Sequence, residues 1–213
     1  MTPPVAGMKG PDIPGFQWVR PLGQGGFADV FLYRQELPSR EVAIKVVRTQ
    51  GDERGTKELH READAMTLLA GHPSVVELHG VGTTADGRAY LIMEYCPVAD
   101  LLTQVRARPM SLDTALETMI KISGGVEMFH RLGYVHRDIK PSNIMLDSYG
   151  KPVLADFGVA SKVGQLEVGA FDGFSVLWAP PEQQDVNSPA SPLQDVWALA
   201  STCLLYTSPS PPD

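Results

Sequence analysis

Three features near the start of the chain have types and an order suited to handling a phosphate. In Leu22-Gly23-Gln24-Gly25-Gly26-Phe27-Ala28-Asp29-Val30 the glycines lack the Cβ that would keep backbone N–H groups away from an anion. A plain hairpin turn uses the same residues, and the strand pattern that follows argues against a dinucleotide turn, which opens a helix. Val42-Ala43-Ile44-Lys45 sets an ammonium in an apolar strand, where an edge lysine facing water is the simpler use. Glu62 weighs against that use. Leu59 and Met66 share its helix face and turn its carboxylate inward, and a buried carboxylate requires a counter-charge. Lys45 is the candidate, and the pair would aim the ammonium at the α- and β-phosphates of a nucleotide.

Two polar runs follow in the second half. His136-Arg137-Asp138-Ile139-Lys140-Pro141-Ser142-Asn143 comes directly after Gly133-Tyr134-Val135 and describes a loop held against a core, although a solvated charge run has the same composition. Pro152-Val153-Leu154-Ala155 reads as a short strand ending in Asp156-Phe157-Gly158, which by itself is a turn.

These residues need elements to hold them. Strands are expected before and after the glycine run, over Val30 to Tyr33, and over Val42 to Val47; Val75 to Val81 and Ala89 to Tyr95 supply two more. Thr56 to Ala70 has a helical period, and Gly71-His72-Pro73 ends it. From Ser111 onward Leu112, Ala115, Leu116, Met119, Ile122, Val126 and Phe129 recur at helical spacing, with Ser111 as the cap and Asp113 suited to the first turn. A small β-rich lobe with one helix therefore precedes a helical lobe. Met1 to Pro14, with four prolines, reads as a loose leader.

Composition narrows the class. The chain of 213 residues is 43% apolar and 20% charged, which suits one globular domain of two lobes. A formal charge of -7 argues against a nucleic-acid partner, since a polyanion is bound by concentrated Lys and Arg. Only Cys96 and Cys203 are present, so no disulfide framework is expected, and no apolar run is long enough to span a membrane. A cytoplasmic protein is expected.

The motifs together resemble the eukaryotic-type (Hanks-type) serine/threonine protein kinases, from about Phe16 to Thr202. Glycine run, strand lysine, helix glutamate, H-R-D-I-K-P-S-N and D-F-G are followed in family order by Trp178-Ala179-Pro180-Pro181-Glu182 and Asp195-Val196-Trp197-Ala198-Leu199. The wording of the loops resembles bacterial members. The resemblance implies an α+β, two-lobed kinase fold that binds ATP and Mg2+ and phosphorylates protein substrates. It makes Asp138 the group that orients the substrate hydroxyl and accepts its proton, Lys140 the charge offset, and Asn143 and Asp156 the magnesium ligands, with Lys45 and Glu62 as the activating pair. It places the nucleotide against Leu22, Gly23, Gly25, Gly26, Val30, Ala43 and Leu146. Met93 stands behind the adenine, the backbone of Glu94 and Cys96 forms the hinge, and Asp100 meets the ribose. Met66, Leu78, His136 and Phe157 match an apolar stack linking the lobes, and each of these positions is equally explicable as plain core.

Lys140 matches the serine/threonine form of the loop, and Ser175 matches a hydroxyl that contacts Asp138 and Lys140. Departures from the pattern are also present. Ala28 replaces the third glycine, and Ser161 and Ser175 are the only hydroxyl side chains between Asp156 and Glu182, so a threonine cluster cannot activate the loop. Arg137 would then take Glu167 or Asp172 as its anion. The expected organisation is a flexible leader over 1–15, a kinase domain over 16–202 with its N-lobe at 16–95 and its hinge and C-lobe at 96–202, and a non-native tail over 203–213. Cys203 to Asp213 resembles the translation of a sequencing-library adapter and is expected to make few contacts; the C-lobe is expected to lack its last helices and Glu182 its basic partner. A pseudokinase that binds nucleotide without transfer is the alternative function, and a small-molecule phosphotransferase stands third. Intact Lys45, Asp138, Asn143 and Asp156 oppose the first, and Lys140 with the Trp178-to-Glu182 segment opposes the second.

Overall fold

The computed structural model describes residues 8–166, 175–185 and 187–207. Strands β1 (Phe16–Gln24), β2 (Ala28–Gln35), β3 (Arg40–Val47), β4 (Leu78–Thr83) and β5 (Ala89–Glu94) form one antiparallel sheet in the order β1-β2-β3-β5-β4. The β2–β3 register sets Val30 opposite Lys45, and β3–β5 sets Ala43 opposite Met93. Strand pairing thereby fixes how Val30, Ala43, Lys45 and Met93 stand relative to one another. Pro21, which has no N–H to donate, sits on the edge strand beside a register shift.

Helix α1 (Glu53–Leu68) begins at Asp52, whose carboxylate accepts from the Gly55 N–H at 2.9 Å. Its apolar face, through Leu59 and Ala63, packs with Val47, Ala89 and Leu91. The other face of the sheet is covered as well. Ile13 is buried with Phe31, Tyr33, Val42, Ile44 and Val46, and the Tyr33 hydroxyl donates to the Pro11 carbonyl at 2.6 Å. Residues 8–13 are therefore attached to the lobe rather than loose: a proline gives up its N–H donor, but its carbonyl still accepts, as at Pro11.

In the second lobe α2 (Leu101–Ala107) and α3 (Leu112–Arg131) precede β6 (Tyr134–Val135), β7 (Ile144–Leu146), β8 (Pro152–Leu154), β9 (Ser161–Lys162) and α4 (Pro192–Thr207). Ser111 caps α3 as expected, accepting from the Thr114 N–H at 3.2 Å. Pairing of β7 with β8 and of β6 with β9 brackets the polar loop between two small sheets. One core joins the lobes, running from Met66 of α1 and Leu69 just after it through Phe157 to Ile122, Val126 and Phe129 of α3.

Several boundaries differ from expectation. Val75 to Glu77 do not join the sheet: Val75 makes an isolated bridge to Leu154 of the other lobe, so β4 starts at Leu78. Helix α4 continues through the expected tail boundary to Thr207, and Cys203 packs against the main core. The prediction of few contacts thus fails at Cys203, because its side chain falls one turn after the partly buried Leu199, which packs on the same core. Residues 208–213 lie outside the described residues.

Candidate active site

The strand lysine is the centre of a buried ionic cluster. Lys45 Nζ donates to Glu62 Oε2 at 2.7 Å and to Asp156 Oδ1 at 2.9 Å. Glu62 is 1% exposed, so the apolar stripe of α1 does turn its carboxylate inward. Burial alone would lower the Lys45 pKa, but Asp156 and Glu62 together raise it above the usual lysine value. Burial pushes Glu62 upward against the attraction of Lys45, whereas Lys45 holds Asp156 down to about 2. The Phe27 ring lies over this cluster, with Lys45 Nζ 5.4 Å from its centroid.

A second cluster forms in the loop before β7. Asp138 Oδ2 accepts from Lys140 Nζ at 2.6 Å and from Asn143 Nδ2 at 3.0 Å, and Oδ1 accepts from the Ser175 N–H at 3.1 Å. Lys140 Nζ also donates to Ser175 Oγ at 2.7 Å. The two clusters are tied by backbone, since the Ala155 N–H donates to the Asn143 carbonyl at 2.9 Å. Lys140 adds to the attraction that lowers Asp156. His136 itself is buried, which pushes its pKa down and keeps the ring neutral; it packs 4.6 Å from Phe157. Met66, Phe157 and the half-buried Leu78 share the main core with that contact.

The loop backbone is held in an unusual shape. Arg137 has φ 69° and Asp156 φ 64°, left-handed values that residues with a Cβ adopt at a cost. Asp195 of α4, with no exposure, accepts from the His136 N–H at 2.8 Å and the Arg137 N–H at 2.7 Å, and it meets His130 Nε2 at 2.7 Å. Gln183 Nε2 donates to the Arg137 carbonyl at 2.7 Å, and Arg137 Nη1 donates to Ser161 Oγ at 3.1 Å. Sequence reasoning named Asp195 only as part of a motif. The signal that found Glu62 was available there too: an acid on the helix face shared with Ala198 and Thr202.

A protein kinase domain model matches residues 16–212. The serine/threonine-protein kinase PknK of Mycobacterium bovis is 38% identical over 206 residues, which is 92% of this chain and 18% of that protein. PrkC of Bacillus subtilis is 32% identical over 189 residues, 86% of this chain and 29% of that protein; the Aurora/IPL1-related protein kinase 2 of Caenorhabditis elegans is 31% identical over 207 residues, 94% and 65%. This chain belongs to the protein kinase family. It spans about a fifth of the length of the PknK relatives it matches. The family works with ATP and a divalent metal ion on protein substrates. No helix among the described residues is long and apolar enough to cross a membrane.

Other expected positions of the kinase domain are less uniform. Val30 and Ala43 are buried on β2 and β3, and Leu146 ends β7 in a bridge with Val98 just past the hinge. Gly25 needs to be glycine, because an added Cβ would lie 2.9 Å from the Ala28 carbonyl oxygen; Gly26 has open space around it, and Leu22 and Gly23 complete the strand before the turn. The Glu94 N–H is already taken by the Glu77 carbonyl at 2.9 Å, and burial raises the Cys96 thiol to about 12. Asp100 differs most: its carboxylate caps α2, accepting from the Thr103 N–H and Oγ1, both at 3.0 Å. Glu182 is exposed and joins none of the ion pairs among the described residues. Ser161 is 3% exposed, and Glu167 and Asp172 lie outside the described residues.

Proposed function

We propose that this domain transfers the γ-phosphate of ATP to serine or threonine hydroxyls of proteins, with Asp138 as the group that receives the hydroxyl proton. The observation that carries the reading is the Asp138 carboxylate itself, buried yet ringed by Lys140, Asn143 and Ser175, beside a separate Lys45–Glu62–Asp156 cluster. Charge of both signs is thus held ready where a phosphoryl group would pass.

In this reading the hydroxyl oxygen attacks the γ-phosphorus, the bond to the β–γ bridging oxygen breaks, and ADP departs. Asp138 takes the proton, and Lys140 offsets charge on the transferring group. Lys45, fixed by Glu62, meets the α- and β-phosphates, while the turn from Leu22 to Gly26 covers them. Val30, Ala43 and Leu146 enclose the adenine, and the Glu94 carbonyl and Cys96 N–H serve as hinge groups. Asp100 reaches a ribose only by giving up a cap bond.

Asn143 and Asp156 suit Mg2+. Their donors are hard oxygens, and magnesium is commonly held by one or two protein groups together with substrate phosphates rather than by an all-protein cage. The low Asp156 pKa keeps that carboxylate ionised at any working pH. A bound ion supplies neutralisation of the phosphate charge.

Incubation of the chain with radiolabelled ATP, Mg2+ and a serine, threonine and tyrosine peptide library tests the reading. Label on serine or threonine peptides is expected. Asp138→Asn is expected to abolish transfer while leaving ATP affinity within about twofold, because Asp138 orients the hydroxyl rather than the nucleotide. Tyrosine-only labelling or full turnover in the variant would overturn it.

A further inference from the structure

One residue at the end of β3 ties down the glycine-rich turn at three points. The Arg48 backbone N–H donates to the Phe27 carbonyl at 2.9 Å. Its Nη2 donates to the Gly25 carbonyl at 2.7 Å and to Asp29 Oδ1 at 2.8 Å, and its Nε reaches Asp29 Oδ2 at 3.3 Å. Asp29 is buried, so the carboxylate fixes the guanidinium as a two-pronged partner rather than as a loose surface pair. The turn is closed from within as well, through the Gly25 N–H donating to the Ala28 carbonyl at 2.8 Å.

This arrangement has a consequence for the backbone donors of the turn. The Gly25–Gly26 peptide is trans and planar, so its C=O and the Gly26 N–H point in opposite directions. Holding the Gly25 oxygen against Arg48 therefore fixes the side on which the Gly26 N–H is presented. Glycines on both sides of that peptide leave it free to rotate unless something outside the turn holds it.

We propose that Arg48 is a positioning residue for the nucleotide phosphates, acting through Asp29 and the Gly25–Gly26 peptide. Arg48 touches no reacting atom, and the proposal rests on the reading that ATP lies under this turn. Asp29 alone would repel a triphosphate; paired with Arg48 it becomes an anchor. Its sign of effect separates positioning from simple charge.

Isothermal titration of the 213-residue chain and its variants with Mg-ATP and, separately, with adenosine decides the matter. Arg48→Gln is expected to weaken ATP about tenfold, equivalent to about 1.4 kcal/mol, with adenosine affinity and the thermal unfolding midpoint preserved. Arg48→Lys, which keeps the charge but not the fork, is expected to lose about threefold and serves if the glutamine variant does not fold. Asp29→Ala is the discriminating variant: positioning predicts weaker ATP binding, while charge alone predicts tighter binding. Tighter binding there, unchanged ATP affinity in Arg48→Gln, or equal losses for ATP and adenosine would each overturn the proposal. A parent chain that bound no ATP would overturn the underlying reading, and is told apart by being seen before any variant is compared.

Discussion

Asp195→Asn is the most informative single substitution away from the reacting groups. Asp195 is fully buried, and its two oxygens accept three hydrogen bonds: Oδ1 from the Arg137 N–H, and Oδ2 from the His136 N–H and from His130. Asparagine has the same shape but one oxygen and one NH2. In the better orientation the amide oxygen keeps His136 and His130, and its NH2 then faces the Arg137 N–H, donor against donor. One buried backbone donor is orphaned and the remaining bonds lose the benefit of a charged acceptor, which together cost about 2 to 4 kcal/mol. Against a total of about 5 to 15 kcal/mol, the fold survives but is visibly weakened.

The functional effect follows from the same bond. Arg137 holds φ 69°, and such a conformation persists only while its surroundings over-determine it. With its N–H opposed, Arg137 relaxes toward negative φ and carries the next residue, Asp138, away from Lys140 and Asn143. Urea unfolding should show a midpoint lower by roughly 1 to 2 M, taking a mid-range slope of about 2 kcal/mol per M. Turnover should fall by at least about tenfold, since a displacement of about 1 Å at a reacting group costs up to about a hundredfold. A variant with the parent's midpoint and turnover would refute the argument that Asp195 shapes this loop.

Two further outcomes are expected. His136 is buried and its pKa lies below 6.5, so the unfolded state binds more protons than the folded one between that lowered value and 6.5. Its contribution is therefore complete above pH 6.5 and is lost as pH falls toward the folded-state value; the difference in urea stability between the parent and His136→Phe should change with pH in that window, and parallel curves would exclude His136 as the source. Ser161 is buried in β9 and accepts from Arg137, while Ser175 is engaged with Lys140 and Asp138. Phosphopeptide mapping after incubation with ATP should find neither serine modified, and stoichiometric phosphate on Ser161 would show that β9 opens far more readily than its packing implies.

What could be read in the sequence was what depends on local period and type. Glu62 stood out because an acid occupied an apolar helical stripe, and Ser111 because a capping residue preceded a clean helical repeat. Helix α2 was not legible: it has seven residues, too few to show a period, and Asp100, which caps it, had been assigned to a ribose. The packing of residues 10–13 was hidden for a different reason, since prolines signal the absence of helix and strand but not the absence of burial.

The shape of the reacting loop was the least legible part, although its residues were the most conspicuous. Nothing in H-R-D dictates a positive φ at Arg137. That value is imposed by Asp195 from α4, Gln183 from the turn before it and Ser161 from β9, which grip the N–H, carbonyl and guanidinium of one residue. Three contacts from elements distant in sequence have no local signature, yet they decide where the adjacent carboxylate stands. The motif supplies the groups proposed to react, and their geometry is a property of the second lobe as a whole. Substitutions in α4 should therefore act on turnover without touching a single atom of substrate.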